Sequence, residues 1–420
     1  MYQKVKGTLD FFGNSARKYR YVEKIITNVI KKYGFEEIIT PIFENTELFV
    51  RGVGDETDIV SKEMYTFLDK GNRSLTLRPE GTASVVRSYL ENKLYANNQL
   101  VKLYYFGPMF RYERPQSGRF RQFTQFGVEV FGEASPLLDA DVILSAYEIF
   151  QTLGIKNIKL KINSIGDFAS RTDYANALRE YFRKDIDKLC PDCNRRLEKN
   201  PLRILDCKVD SNNPVLLNAP KISEFLSDSA REYFAEVLKA LEYNNIKYEI
   251  DEKLVRGLDY YTDTVFEFIV ESNDNLNGLA ICGGGKYSEM VKSFGGPDIP
   301  GIGYAFGIER VINIMEQNNL FPDLDNHADV VLIALDREAK LYSLKLANLL
   351  RKNGIYADLD YNSYNMKPQF KLSERLNAKF IVIIGEDELK TNTLTVKNAI
   401  TKSQEKISEN TIIEFLKENI

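Results

Sequence analysis

The chain has 420 residues, with 44% hydrophobic and 28% charged residues and a formal net charge of −4. Such a length calls for two or three domains, and the composition is that of an ordinary globular protein. No apolar run reaches the ~18 residues of a membrane span, and "MYQKVKGTLDFF" lacks a signal-peptide apolar region, so a cytoplasmic protein with no membrane association is expected. The acidic balance excludes a global pull towards nucleic acid and leaves only local basic patches for that purpose.

In chain order, Val22, Ile25, Ile26, Val29, Ile30 and Tyr33 recur at helical spacing, with Asn14 or Ser15 as cap and Gly34 as stop. "FEEIITPIFE" reads as a short strand whose Pro41 places it at an edge or bulge. Residues 100–132 read as two strands around the turn "RPQSGR". A helix over 139–153 and the strand "IKLKINSI" follow. Residues 170–250 are charged and mostly helical, which suits an inserted subdomain. Strands return at 254–271 and 278–283, and a helix follows "GIGYAFG". After the linker-like "FPDLDNHA", strands and helices alternate to the end, which predicts a mixed α/β domain of about a hundred residues.

Several stretches carry chemistry. "RYERPQSGRFRQFTQFGVE" holds Arg111, Arg114, Arg119 and Arg121. Alternation in its second strand puts Phe126, Val128 and Val130 on one face and Arg121, Gln125, Gly127 and Glu129 on the other. Polar groups along one face of an inner strand, separated by a glycine, predict a pocket floor where Glu129 holds an N–H-bearing or cationic ligand. "LTLRPEGTASVV" puts Glu80 and Thr82 in a turn between strand and helix, where good capping residues are common without any further role.

"RGLDYY" (256–261) sets an arginine, an acid and two tyrosines at the mouth of a strand. "AICGGGKYSEMV" is not a P-loop, because Tyr287 follows the Gly-Lys, and its glycines predict a close backbone approach. "GIGYAFGIERV" has the spacing G-x-G-x-x-x-G, which does not fit a dinucleotide fingerprint. It predicts a glycine-rich approach to a helix whose Arg310 can reach a phosphate.

Only one histidine is present, His327 in the linker-like stretch, so a histidine base, a histidine-rich metal site and a Ser-His-Asp triad are excluded from the expected site. Cys190, Cys193 and Cys207 are three thiols where a structural zinc site has four ligands. Packed thiols are expected, with no metal held by protein side chains alone.

Together these stretches resemble a known family. "FEEIITPIFE", "FRYERPQSGRFRQFTQFGVEVFG" and "GIGYAFGIERV" are similar, in order, to motifs 1, 2 and 3 of class II aminoacyl-tRNA synthetases. "LVRGLDYYTDTVFEF" and "AICGGGKYSEMV" resemble the two signature peptides of the histidyl-tRNA synthetase family. The resemblance runs essentially end to end. It implies an α+β catalytic core built on an antiparallel sheet with helices over residues 1–322, and a helical insertion at about 170–225. It further implies a linker at 323–328 and a C-terminal mixed α/β anticodon-binding domain over 329–420.

The activity implied is ATP-dependent activation of L-histidine and transfer to the 3′ end of histidine tRNA, with Mg²⁺ on the phosphates and a homodimer built around the motif 1 helix and strand. By resemblance, Arg256 and Arg111 are the catalytic cations, and Arg111, Glu113 and Arg310 bind ATP. Glu80, Gly81, Thr82 and Gln125 surround the α-amino end of histidine. Glu129 and Tyr261 bond the imidazole, and Tyr260 and Tyr287 line its pocket. Gln116 and Arg121 match residues that read the tRNA acceptor end. Tyr112, Thr124, Asp263 and Ser288–Met290 depart from the family pattern at positions beside those groups. The rival reading is the catalytically silent paralogue that serves as a regulatory subunit of ATP phosphoribosyltransferase, which resembles a chain without the C-terminal domain. A purely structural or RNA-binding α/β protein leaves Arg111, Arg256 and Arg310 unexplained.

Overall fold

Helical spacing of Val22, Ile26, Val29 and Ile30 buries one face of the first helix, α1 (Asn14–Lys32). The computed structural model describes residues 2–54, 57–97, 99–114, 118–255, 260–272, 276–324 and 327–420. Helix α1 starts after Gly13 with no side-chain cap. The Ser15 hydroxyl instead bonds the backbone of Phe12. Gly34, at φ 78°, is the left-handed residue that ends the helix.

Pro41 splits the next apolar run. β1 (Glu36–Glu37) joins the large sheet, whereas β2 (Phe43–Asn45) enters a different one. The expected single strand is therefore two short ones, since proline has no N–H with which to continue a ladder. After α2 (Thr46–Val53), β3 (Tyr65–Leu68) and β4 (Ser74–Leu77) complete a small antiparallel sheet in the order β2-β4-β3. Helix α3 (Thr82–Glu91) follows.

The expected hairpin is β5 (Val101–Phe110) and β6 (Gln122–Phe131), paired from Val101↔Phe131 to Phe110↔Gln122. Next come α4 (Pro136–Thr152) and β7 (Ile158–Ser164). The helical stretch contains α5 (Phe168–Arg183), α6 (Pro191–Lys199), α7 (Leu202–Leu205), α8 (Pro214–Leu217) and α9 (Asp228–Tyr243). Asp167 and Ser227 cap α5 and α9 by accepting from backbone N–H groups. β8 (Tyr248–Ile250), β9 (Thr262–Val270), β10 (Ala280–Tyr287), α10 (Met290–Ser293), β11 (Gly301–Gly307) and α11 (Ile308–Gln317) complete this part. "GIGYAFG", expected as an approach to a helix, is itself the strand β11, and α11 follows it directly.

Among the described residues, eight strands form the large sheet in the order β1-β5-β6-β11-β10-β9-β7-β8. Its inner pairs are antiparallel, and only the outermost pair at each edge is parallel. One face carries Tyr104, Phe126, Val128, Tyr304, Phe306 and Phe266 into a core shared with α1, α4, α9 and α11. The other carries Tyr105, Gly127, Glu129 and Gly303, as the alternation predicts.

The chain divides at Pro322/Asp323 into two compact units. In the second, β12 (Val330–Ala334), α12 (Arg337–Lys352), β13 (Ala357–Leu359), α13 (Met366–Arg375) and β14 (Phe380–Ile384) alternate. They lead to α14 (Glu386–Thr391), β15 (Thr393–Asn398), β16 (Gln404–Ser408) and α15 (Ile412–Asn419). The sheet order is β13-β12-β14-β15-β16, parallel in its first three strands and antiparallel beyond, a mixed α/β domain around its own core. Among the described residues, no helix is long and apolar enough to cross a membrane.

One buried cation ties the small sheet to the large one. Arg78 donates from Nε to the Pro108 carbonyl at 2.8 Å, and from Nη1 to the Thr40 carbonyl and hydroxyl, both at 2.9 Å. A Cβ on Gly107 would lie 2.4 Å from Arg78 Nη2, so the glycine makes room for the guanidinium. Replacing Arg78 by Met strands these acceptors in a dry site and should lower unfolding stability by about 1–3 kcal/mol per acceptor left unpaired. Urea denaturation followed by circular dichroism checks this, and an unchanged midpoint would refute the clamp.

Candidate active site

Antiparallel register stacks residues of neighbouring strands into rows on one face of the large sheet. One row runs Tyr105–Gly127–Ala305–Gly283, and the next runs Leu103–Glu129–Gly303–Gly285. The glycines leave a hollow into which larger side chains turn. A Cβ on Gly303 would lie 2.2 Å from Glu129 Oε2, and one on Gly301 would lie 2.2 Å from the Tyr287 ring. The Tyr105 ring is held between Gly81 and Gly127, where added Cβ atoms would lie 2.3 and 2.4 Å from its Cζ. The glycine-rich peptides of β10 and β11 are thus the space occupied by pocket side chains.

Glu129, only 1% exposed, is the acid at the centre. Its Oε1 accepts from the Thr82 hydroxyl at 2.6 Å and its Oε2 from the Tyr287 hydroxyl at 2.5 Å. Burial pushes its carboxyl up to about 8; these two hydrogen bonds oppose the shift and the nearby Glu80 adds to it. Glu80 itself accepts the Thr82 and Ala83 backbone N–H groups at 2.7 and 2.8 Å, capping the start of α3. The expected substrate residue is therefore also a helix cap, and burial raises its carboxyl as well.

Aromatic rings close the hollow. Tyr260 packs 4.6 Å from Tyr261 and edge-on to Tyr287 at 5.6 Å, and the Tyr105 hydroxyl bonds Gln125 Oε1 at 3.2 Å. Burial, with the acids close by, holds the Tyr105, Tyr260 and Tyr287 phenols well above their usual range, so they remain hydrogen-bond donors. A buried hollow where the Glu129 carboxyl, with Glu80 close by, is ringed by phenol and hydroxyl donors suits a ligand that brings an N–H or a positive charge.

Guanidinium groups gather beside this pocket. Arg111 donates from Nε to the Pro79 carbonyl at 2.8 Å, one residue before Glu80, and lies over the Phe123 ring. Glu113 lies 3.9 Å from Arg111 and 3.4 Å from Arg119. Arg310, at the start of α11, is bonded to the Ala280 carbonyl. Burial, then Arg119 and Arg111, hold it below the usual arginine range despite the opposing Glu113. Three mutually repelling cations in a partly buried place form a seat for a polyanion.

Glu80, Gly81, Thr82, Gln125, Glu129, Tyr260, Tyr261 and Tyr287 thus share one hollow, and Arg111, Glu113 and Arg310 share the adjoining charged place. Arg256 and Gln116 lie outside the described residues. Arg121, expected on the pocket face, lies one residue before β6, where its Nε donates to the Glu113 carbonyl at 3.4 Å. Its guanidinium lies 4.0 Å over the Tyr112 ring, and its backbone N–H bonds the Gly7 carbonyl.

Of the family departures, Thr124 gives its N–H to both carboxyl oxygens of buried Glu309, and Asp263 pairs with Lys286 at 2.9 Å. His327 is exposed beside Asp323 in the second unit. Sequence reading missed Tyr105. In "LYYFG" nothing marks it apart from Tyr104, which points into the opposite core.

The raised Glu129 carboxyl has a consequence for stability. Its contribution is fully present below about pH 4.5 and is lost as pH rises through about 8, because the folded state must then hold a buried anion. In a series of melts from pH 6 to 9, Glu129→Gln should therefore gain Tm relative to the unchanged protein. A difference that does not vary with pH would sink this assignment.

The comparisons with known proteins agree with the geometry. The family model described as histidyl-tRNA synthetase matches residues 7–311, and that of an anticodon-binding domain matches 329–419. A histidine–tRNA ligase from Geobacillus sp. (strain WCH70) is 48% identical over 420 residues, covering 100% of this chain and 99% of that protein. Another, from Bacillus licheniformis, is 49% identical over 415 residues, covering 99% and 98%. The crystal structure of apo S. aureus histidyl-tRNA synthetase superposes with a TM-score of 0.86 at 42% identity, covering 99% of this chain and 100% of its own. A Bacillus halodurans structure described as an ATP phosphoribosyltransferase regulatory subunit/histidyl-tRNA synthetase, at 21% identity and a TM-score of 0.65, shares the fold alone. With a glycine-cleared acidic pocket beside a guanidinium cluster, and near-half identity along its whole length, the chain belongs to the histidyl-tRNA synthetase family of class II aminoacyl-tRNA synthetases.

Proposed function

We propose that the protein activates L-histidine with ATP and transfers the histidyl group to the 3′ end of histidine tRNA. The observation that carries this reading is Glu129, a buried carboxyl already bonded by Thr82 and Tyr287 and facing a hollow lined by phenols. An imidazole N–H supplies the donor that this carboxylate lacks, and Tyr261 is assigned to the other ring nitrogen. Amino acids without such a donor leave Glu129 with only its Thr82 and Tyr287 partners and add no N–H of their own, which is how the site rejects them. Glu80, Gly81, Thr82 and Gln125 hold the α-amino end, and Tyr260 and Tyr287 wall the ring.

In the first step a carboxylate oxygen of histidine attacks the α-phosphorus and pyrophosphate leaves. In the second, a ribose hydroxyl of the tRNA attacks the acyl carbon and AMP leaves. Two anions must meet in the first step, so fixed cations are needed more than a base. Arg111 is assigned to the α-phosphate, Arg310 to the γ-phosphate and Glu113 to ATP. Arg256 takes the junction of carboxylate and phosphate, a role resting on sequence resemblance. Glu63 and Glu113 are near enough to repel each other beside Arg111, and such hard oxygen donors fit Mg²⁺, which supplies charge neutralisation on the phosphates when bound.

Gln116 and Arg121 are assigned to the acceptor end of the tRNA, the insertion at about 170–225 to its acceptor arm, and the domain at 329–420, after a linker at 323–328, to its anticodon. A tRNA partner implies a cytoplasmic enzyme. The regulatory-paralogue reading is disfavoured by the match to an anticodon-binding domain and by full-length relatives that are ligases. A homodimer accounts for the apolar surface of the motif 1 region, where Ile39 is 85% and Leu68 65% exposed, with Ile42, Phe43 and Phe67 also exposed.

ATP–pyrophosphate exchange with each of the twenty amino acids tests the reaction. Histidine alone should support exchange, and Arg256→Ala should slow it roughly 10²–10³-fold. Exchange with another amino acid, or none with histidine, would overturn the reading. For the assembly, light scattering should give twice the chain mass for the unchanged protein and a shift towards monomer in Ile39→Glu. A monomer in both would refute the dimer.

A further inference from the structure

Four ligating groups converge in the helical insertion. Cys190 stands at the N-cap of α6, Cys193 on its first turn, Cys207 just after α7, and Asp210 in the following turn. Their sulfur and carboxylate oxygen atoms all lie within 4.8 Å of one another. Cys190 Sγ is 3.6 Å from Cys207 Sγ, and Cys207 Sγ is 3.5 Å from Asp210 Oδ2. A tetrahedral ion with bonds of ~2.3 Å to sulfur and ~2.0 Å to oxygen needs edges of about 3.8 and 3.5 Å between those atoms. We propose that Cys190, Cys193, Cys207 and Asp210 form a structural Zn²⁺ site.

The surroundings favour a cation over packed thiols. Cys193, Cys207 and Asp210 are 0%, 6% and 8% exposed, among Leu189, Leu197 and Ile204. Among the described residues none of the lysine or arginine ion pairs reaches Asp210, so its carboxylate is held by the Cys190 N–H and the neighbouring thiols alone and stays free to take a cation. The Cys190 backbone N–H donates to Asp210 Oδ2 at 2.9 Å, which fixes the orientation of the carboxylate. Thiolate-rich tetrahedral sets select zinc over magnesium or calcium. A Cys190–Cys207 disulfide would use two of the four groups and leave Cys193 and Asp210 unexplained.

The ion would join the start of α6 to the irregular stretch that follows α7. Helices α7 and α8 are four residues each, so hydrogen bonding along the backbone contributes little to holding residues 202–217. The site also anchors α6, whose Arg196 lies 3.7 Å from Asp58. Five residues beyond Asp58, the Glu63 carbonyl accepts the Tyr112 N–H at 2.7 Å, next to Arg111. A metal-held helix thus abuts the segment that backs the guanidinium cluster.

The test is metal analysis of the full-length protein purified under reducing conditions and incubated with zinc sulfate. About one zinc per chain should remain after desalting. Replacement by Co²⁺ should give the visible bands of tetrahedral thiolate coordination. Chelation should accelerate amide exchange in α6–α8, and Cys207→Ser and Asp210→Ala should each weaken binding at least ~10-fold. If either variant misfolds, thiol blocking of the unchanged protein should still release zinc to a colorimetric chelator. Less than about a tenth of an equivalent, an octahedral cobalt spectrum, undiminished zinc in both variants, or a Cys190–Cys207 disulfide in place of the ion would overturn the proposal.

Discussion

A carboxyl group lying against a β-sheet with almost no access to water sets the terms for the rest of the catalytic unit. Glu129 can point into the hollow only because Gly303, directly across the ladder, has no side chain. The hollow persists only because Gly127 and Gly81 admit the Tyr105 ring and Gly301 admits that of Tyr287. Glycine weakens strands, so such a sheet needs compensation elsewhere. That compensation lies on its other face, where Phe126, Tyr304, Phe306 and Phe268 pack with α1, α4 and α11. One sheet therefore has two unlike faces, a packed aromatic core behind and a glycine-cleared hollow in front.

Electrostatics links the two halves of the site through a short peptide. Pro79 gives its carbonyl to Arg111, while the adjacent Glu80 caps α3 and lies near Glu129. An acid-lined hollow thus meets a cation-lined place across a few residues. Burial acts on both with opposite sign, raising the carboxyls of Glu80 and Glu129 and lowering Arg310. Burial disfavours the charged form in each half, so each gains from a neighbouring opposite charge. Strain of that kind lowers the free energy of binding complementary charge without any rearrangement.

The insertion also contributes to this arrangement. Arg171 of α5 donates to the Tyr261 carbonyl at 2.8 Å, which holds the aromatic wall from outside the sheet. Helix α6 reaches Asp58 on the opposite side. With α7 and α8 so short, the thiol and carboxylate cluster at Cys190–Asp210 links the start of α6 to the stretch after α7.

Much of the fold was legible from the chain, and the reasons are local. Helical spacing in α1, alternation in β6 and the βα alternation after residue 328 each follow from one element's own pattern. The pocket face of Gln125, Gly127 and Glu129 was legible because a strand has a period of two. The errors came from competition between elements. Pro41 divided one strand between two sheets, and the glycines of "GIGYAFG" hid a strand whose side chains were absent to make room for others.

Tyr105 and Asp210 escaped notice because each acts through a neighbour distant in sequence. The first is wedged against Gly81 and Gly127, and the second meets Cys190 and Cys207. Sequence by itself determined the residue types, their order and the face each strand presents. Tertiary structure alone decided which glycine clears space for which ring, how far burial shifts each charge, and where a fourth ligand joins three thiols. Those properties depend on distances across the fold, which no local periodicity encodes.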